Sequence, residues 1–331
     1  MGHEVRRIFA ATLLLCAQGA WAVESPQPAR ASGGGVLHGD IEEGAEGAAV
    51  DFVGTADTDH FRSARLRAGA LLQHESADKY IALGGGYTRY EQNDFAANRY
   101  SLGAAIRNVV RSTGAGVVAT GGVSQVGDRT RAVFEATWNV RLSQTGGFEL
   151  IGQRDFVESS AALDAGTMTN FVGASVDYTI ADRLTLIALG GLQYFSDDNR
   201  RDHLRARVIY VLLPEQGLSV QAKVRAYESS NATSAFYFNP ENYREADIGL
   251  RLRRSVGNWR LLAAAGGGKE EINRSVENRT YYVEARAERR FADGVSLVLS
   301  YALDHSAGSD SSSGGGHYTW NYFRAVLVIP F

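Results

Sequence analysis

Apolar and polar positions alternate from about Ala48 to the last residue, in segments of about ten to fifteen residues separated by clusters of turn formers. The final segment is the clearest. Phe323, Ala325, Leu327, Ile329 and Phe331 place an apolar side chain at every second position, while Tyr322 and Arg324 interleave on the other face. Ala132, Phe134, Ala136, Trp138, Val140 and Leu142 alternate in the same way with Arg131, Glu135, Thr137, Asn139 and Arg141. Leu218, Val220, Ala222, Val224 and Ala226 alternate with Ser219, Gln221, Lys223, Arg225 and Tyr227. Ala246, Ile248, Leu250 and Leu252 alternate with Glu245, Asp247, Arg251 and Arg253. Successive side chains of a strand point to opposite faces, so this pattern predicts strands that are apolar on one side and charged on the other.

A water-soluble sandwich and a membrane barrel share that pattern, the first burying its apolar faces in a core and the second turning them to lipid. The N-terminus separates them. Arg6 and Arg7 precede an apolar run from Ile8 to Ala17, and Ala20-Trp21-Ala22 has the small-x-small form of a cleavage site, so residues 1–22 read as a signal peptide. Cys16, the single cysteine, falls inside this segment behind Leu13, Leu14 and Leu15 rather than the small residues that lipidation requires. The mature chain then has no thiol for a disulfide or a metal. Residues 23–47 carry two of the five prolines, Gly33-Gly34-Gly35 and the acids Asp40, Glu42 and Glu43, and read as a disordered periplasmic linker. Residues 48–331 read as one all-β, antiparallel outer-membrane barrel of a Gram-negative bacterium, ending on an aromatic carboxylate. The alternating Phe323, Leu327, Ile329 and terminal Phe331 resemble the signal by which the barrel assembly machinery recognises its clients.

Composition agrees. No later stretch reaches the roughly 18 uninterrupted apolar residues of a membrane helix, and a mean hydropathy of −0.20 suits a barrel that hides half of each strand from lipid. The chain has 37 glycines and 15 tyrosines, and its net charge of −3 gives no electrostatic footprint for nucleic acid. Short connections near Glu75–Asp78, Thr113–Gly116, Gln144–Gly147, Ala181–Arg183, Pro214–Gly217, Ser255–Asn258 and Phe291–Gly294 alternate with eight others, several long and polar: near Thr55–Asp59, Glu91–Asn98, Gly127–Arg129, Ser159–Gly166, Ser196–Asp202, Ser229–Asn242, Glu271–Glu277 and Ser306–Gly316. Seven turns and eight loops predict about sixteen strands (14–18), with both termini in the periplasm.

Such a barrel encloses a lumen too wide to be filled from its walls, which loops folded inward can narrow. On this assignment Arg65, Arg67, Arg99, Arg107, Arg131, Arg141, Arg205, Arg207, Lys223, Arg225, Arg251, Arg253 and Arg286 face inward. So do the acids Glu135, Glu149, Asp155, Asp177, Glu245, Asp247, Glu284 and Glu288. A mixed lumen tilted toward basic favours anionic or neutral solutes. The alternative for each of these groups is a cross-strand ion pair that merely braces the wall. Tyr318, Trp320 and Tyr322 are candidates for stacking on sugar rings if they face the lumen, and for an interfacial aromatic girdle if a twist or bulge turns them outward.

The segment Phe236-Tyr237-Phe238-Asn239-Pro240-Glu241-Asn242-Tyr243, before the strand Arg244–Arg253, resembles the aromatic-Pro-x-x-Tyr stretch of bacterial exopolysaccharide export porins, those for cellulose and poly-N-acetylglucosamine. The opening Val50-Asp51-Phe52 through Asp57-Thr58-Asp59 to Arg65-Leu66-Arg67 is similar to the start of such barrels. The resemblance covers residues 48–331 and implies a sixteen-stranded barrel that passively exports a polysaccharide, as in biofilm formation, with Tyr237, Phe238 and Tyr243 constricting or gating the channel. It departs from the family in the long periplasmic array of helical repeats, for which only the linker stands here, so a separate periplasmic scaffold protein is expected. Alternatives are a general or solute-selective diffusion porin, an outer-membrane hydrolase, and an adhesive barrel.

The enzyme reading is weak. Asp202-His203 and Asp304-His305 are adjacent acid–imidazole pairs, but neighbours on a strand point to opposite faces, and both lie near predicted loop edges where a solvated histidine is the expected outcome. Gly122-Val123-Ser124-Gln125-Val126 lacks the last glycine of a nucleophile elbow, and the histidines lack metal-ligand spacing. The glycine triplets at Gly84–Gly86 and Gly266–Gly268 lie within alternating strands, where they relieve crowding rather than bind phosphate. The expectation is no catalytic residue, no metal and no cofactor.

Overall fold

The computed structural model describes residues 45–76, 78–110, 112–234, 236–274, 277–292, 294–307 and 317–331. The expected signal peptide and residues 23–44 of the expected linker lie outside them. Sixteen strands follow in order: β1 (Ala45–Asp57), β2 (Arg62–Ser76), β3 (Lys79–Gln92), β4 (Phe95–Val109), β5 (Gly116–Val126), β6 (Arg129–Arg141), β7 (Gly146–Phe156), β8 (Met168–Ala181), β9 (Leu184–Phe195), β10 (Arg200–Leu213), β11 (Leu218–Ser229), β12 (Asn242–Val256), β13 (Trp259–Ile272), β14 (Asn278–Arg290), β15 (Ser296–Ala307) and β16 (His317–Pro330). Each pairs antiparallel with its neighbours in sequence, and β1 closes on β16 from Gly47↔Pro330 to Asp57↔Trp320. The strand count agrees with the alternation of short and long connections. Residues 45–47 belong to β1, so the barrel begins three residues earlier than the apolar pattern indicated.

An even strand number brings both ends of the barrel sequence to one rim, the terminal end; the opposite rim is the far end. Two far-end connections are shorter than expected. Asn93 (φ 50°) and Gly127 (φ 58°) adopt left-handed backbone and reduce the connections β3–β4 and β5–β6 to two-residue turns.

The outward face is apolar and uncovered: Leu102 and Ile248 are 68% and 64% exposed, which suits lipid contact. Inside, side chains pack in patches instead of one central core. The largest patch lies under the connection β7–β8, which the sequence presented as a polar loop. It contains a one-and-a-half-turn helix, α1 (Ser160–Ala165), capped by the Ser159 hydroxyl at its start and by Gly166 (φ 71°) at its end. This connection folds into the barrel. Val157, Glu158, Ser159, Ala162 and Leu163 are buried, and Phe156, Leu163 and Met168 cluster with Phe61, Tyr90 and Val126.

Candidate functional site in the barrel lumen

On β11–β14 the lumen wall is a continuous polar network. Glycines on the middle strands create it: Gly249 on β12 and Gly266 on β13 leave space that the Tyr282 ring from β14 occupies. Side chains from β11 and β14 therefore meet above two intervening strands. Gln221 donates to the Tyr282 hydroxyl at 2.8 Å, and Lys223 Nζ reaches Glu284 at 2.6 Å while lying 3.5 Å from the Tyr282 ring centre. Thr280 donates to Asp247 at 2.5 Å. Arg225 bonds both Glu245 and the Tyr243 hydroxyl, which in turn donates to Glu270 at 2.8 Å. In a site largely removed from water, each such charge requires its partner.

A second group docks the connection between β11 and β12 into the far-end mouth. Arg201, 1% exposed, lies in a cage of Phe195, Tyr227 and Tyr237 rings, 4.6 Å from the Tyr227 centre, and donates to the Phe238 carbonyl at 2.7 Å. Tyr237 stacks on Phe195 at 4.3 Å and hydrogen-bonds Asp197 and Asn199. Burial pushes its phenol above the ordinary range. The Ser159 hydroxyl bonds the Phe236 carbonyl, joining the two inward-folded connections across the mouth. Sequence reasoning missed Arg201, Tyr90 and Glu158; the available signal was the apolar content of Phe156, Val157, Ala161, Ala162 and Leu163 in a segment assigned as a polar loop.

The inward positions fall on the face opposite the exposed apolar residues, and the structure divides them by environment. Arg205, Arg207 and Asp247 are buried in the wall, Arg225 and Glu245 are half-buried against each other, and Lys223 is tied to Glu284. Arg65 is engaged by Glu158. Arg131 and Glu135 on β6 are exposed to the interior, while Arg67, Arg251, Arg253 and Arg286 are partly so. The brace reading thus holds for Lys223 and Arg225, whereas the partner of Arg65 comes from the inward-folded connection. Tyr318, Trp320 and Tyr322 face the lumen rather than a girdle. Their rings are nonetheless buried, Trp320 stacking on Tyr322 at 5.5 Å and Tyr318 donating to Asp57 at 3.2 Å, so they form wall and not an open platform. Tyr243 likewise stacks on Tyr227 at 4.8 Å and meets Phe238 edge-on. Phe323 and Ile329 face outward and Phe331 is exposed at the terminal rim.

The histidines correct an expectation. His203 is not solvated but buried on the lumen face, bonded to Gln193 at 2.9 Å and packed against Phe171 and Tyr227. Its neighbour Asp202 points outward to Arg200. His305 stacks on Tyr281 at 4.2 Å on the outer face, while Asp304 lies inside. Neither pair forms a dyad. Among the described residues no group of three or more histidine, cysteine or acidic side chains is arranged to hold a metal.

No family model and no curated protein sequence matches the chain. Among solved structures, one described as a bacterial polysaccharide outer membrane secretin is similar at 12% identity and a TM-score of 0.66, over 88% of this chain and 100% of that one. The fold is that of an outer-membrane β-barrel. Two Pseudomonas aeruginosa proteins, OccK7 and OccK5, are similar at 10% and 9% identity, with TM-scores of 0.43 and 0.44 over 87% and 88% of this chain and 99% of each of theirs.

Proposed function

We propose that this barrel is a porin through which a secreted polysaccharide leaves a Gram-negative cell by guided passive diffusion, its terminal end in the periplasm and its far end outside. The division of the lumen carries this reading. Against the packed network of β11–β14, strands β2–β5 present Gly69, Gly84, Gly103 and Gly122 in one row, the nearest atoms to each being backbone of the adjacent strand. Arg131 and Glu135 remain open on β6, which flanks this floor. A linked chain of sugar rings slides along a long polar surface without deep pockets, and charged margins exchange hydrogen bonds with successive hydroxyls. The likeness to a polysaccharide secretin barrel supports the same direction.

In this reading Tyr237, Phe238 and Tyr243 close part of the mouth, Phe331 serves the barrel assembly machinery, outer-membrane lipid surrounds the apolar band, and a separate periplasmic scaffold protein presents the polymer. The test compares surface polysaccharide in cells lacking the protein and in complemented cells. Loss on deletion and recovery on complementation are expected. Unchanged secretion with reduced small-solute permeability would replace export with a diffusion porin.

A further inference from the structure

The strand register links residues into rows at right angles to the strands. One row runs through Arg253 (β12), Leu262, Arg286 (β14), Ser300, Arg324 (β16), Val53, Arg65 (β2), Thr88, Arg99 (β4), Val126 and Arg129 (β6). An arginine stands on every even-numbered strand of the row, and every residue between is uncharged. Adjacent strands lie about 4.8 Å apart, so the arginines follow one another at about 10 Å along the wall. Strands of a membrane barrel tilt by about 35–45°, which turns a perpendicular row into a ramp. Arg253 lies close to the terminal end of β12, Arg99 close to the far end of β4, and Arg129 is the first residue of β6 at the far rim.

The lower and upper steps differ. Arg286 and Arg324 are 38% and 44% exposed to the interior, whereas Arg65 and Arg99 are 12% and 2%. Glu158 from the inward-folded connection covers the upper pair: it bonds Arg65, lies 3.8 Å from Arg99, and accepts from the Tyr90 hydroxyl at 2.9 Å. Arg129 packs against Gly166 of the same connection. Other acids come from neighbouring rows: Asp155 at 2.7 Å from Arg99, Asp51 at 2.8 Å from Arg324, and Glu288 at 3.9 Å from Arg286. Guanidinium groups stay charged at all relevant pH and bind planar carboxylates with two parallel hydrogen bonds.

We propose that this ramp is the path of an acidic polysaccharide, whose carboxylates pass from one guanidinium to the next, and that Glu158 holds the upper steps until the polymer's own acids displace it. The proposal rests on the export reading and names its substrate class. A fixed row of cations raises the local concentration of a polyanion and sets its direction of entry, while the carboxylate of the loop keeps the mouth closed to solutes that carry no charge to exchange for it.

The experiment uses the full mature chain in planar bilayers, with oligogalacturonate and a maltooligosaccharide of equal length added at the terminal side. Anion selectivity in a KCl gradient is expected, with block by the oligouronate at a concentration at least tenfold below that of the neutral oligomer. Arg286→Glu with Arg324→Glu should abolish that preference, Arg286→Lys with Arg324→Lys should keep most of it, and Glu158→Gln should speed passage of the oligouronate and admit the neutral oligomer as well. Equal block by both oligomers, or a preference untouched in the folded Arg286→Glu, Arg324→Glu variant, overturns the polyanion path while leaving export standing. Entry of neither oligomer in wild type and in Glu158→Gln overturns the export reading itself.

Discussion

Strands β2–β5 and β12–β13 both turn glycines to the lumen, and the two regions use them in opposite ways. On β12–β13 they are sockets, filled by Tyr282 and spanned by bonds from β11 to β14. On β2–β5 the pairs Gly69↔Gly84, Gly84↔Gly103 and Gly103↔Gly122 form a floor on which the nearest atoms are backbone rather than a seated ring. Backbone crowding demands glycine in both places: a Cβ on Gly103 would lie 2.5 Å from the Gly121 carbonyl, and one on Gly266 would lie 2.5 Å from that of Ile248. The difference lies in what the flanking strands offer. Long polar side chains on β11 and β14 reach over their glycines, whereas the neighbours of the β2–β5 row contribute Ala49 and Val133, too short to do so. One sequence device thus makes a rigid wall in one place and a free surface in another.

Substitutions break or sharpen this contrast. The largest effect is expected from Arg225→Ala, which strands Glu245 in a nearly dry wall and should cost about 3 kcal/mol or more in urea unfolding from detergent micelles. Gly122→Ala on the bare floor drives a methyl into the Leu102 carbonyl, and a loss of about 1–3 kcal/mol in the same assay would show that the floor is as tightly built as the wall. Tyr282→Phe removes only the bond from Gln221 and should cost about 1 kcal/mol, with the ring still filling its socket. Smallest of all, Arg131→Ala at the open margin should change stability by less than about 0.5 kcal/mol. Its channel conductance should nevertheless move; a stability loss as large as that of Tyr282→Phe would show that the margin is part of the braced wall after all.

Much of the fold was legible because each strand carries its own signal. Period-two alternation assigned inward and outward faces, and the rhythm of connections gave sixteen strands. Features that depend on how strands stand against each other were not legible. Arg253, Arg286, Arg324, Arg65, Arg99 and Arg129 stand in the sequence as separate charges within six strands, and become a row only when ten pairing registers are known. The same holds for Lys223 and Glu284, which lie 61 positions apart and meet only because glycines clear the space between them. The inward-folded helix was masked by its flanking serines, and His203 by its closeness to a loop, although its odd-numbered place on β10 already put it on the face shared by Arg205 and Arg207.

The seam between β1 and β16 has a consequence for biogenesis. Every other strand pairs with neighbours a hairpin away, but Asp51 and Arg324 are 273 positions apart, and Phe52 and Phe323 meet at 6.2 Å on the outer side of the same seam. Contacts so distant in sequence form late, because the loop they close is entropically the most costly. Until they form, the molecule is a curved sheet with two unpaired edges. Arg324 is a middle step of the ramp, and closing the seam puts it in place. A partly inserted chain therefore has neither an enclosed passage nor a continuous row of charge.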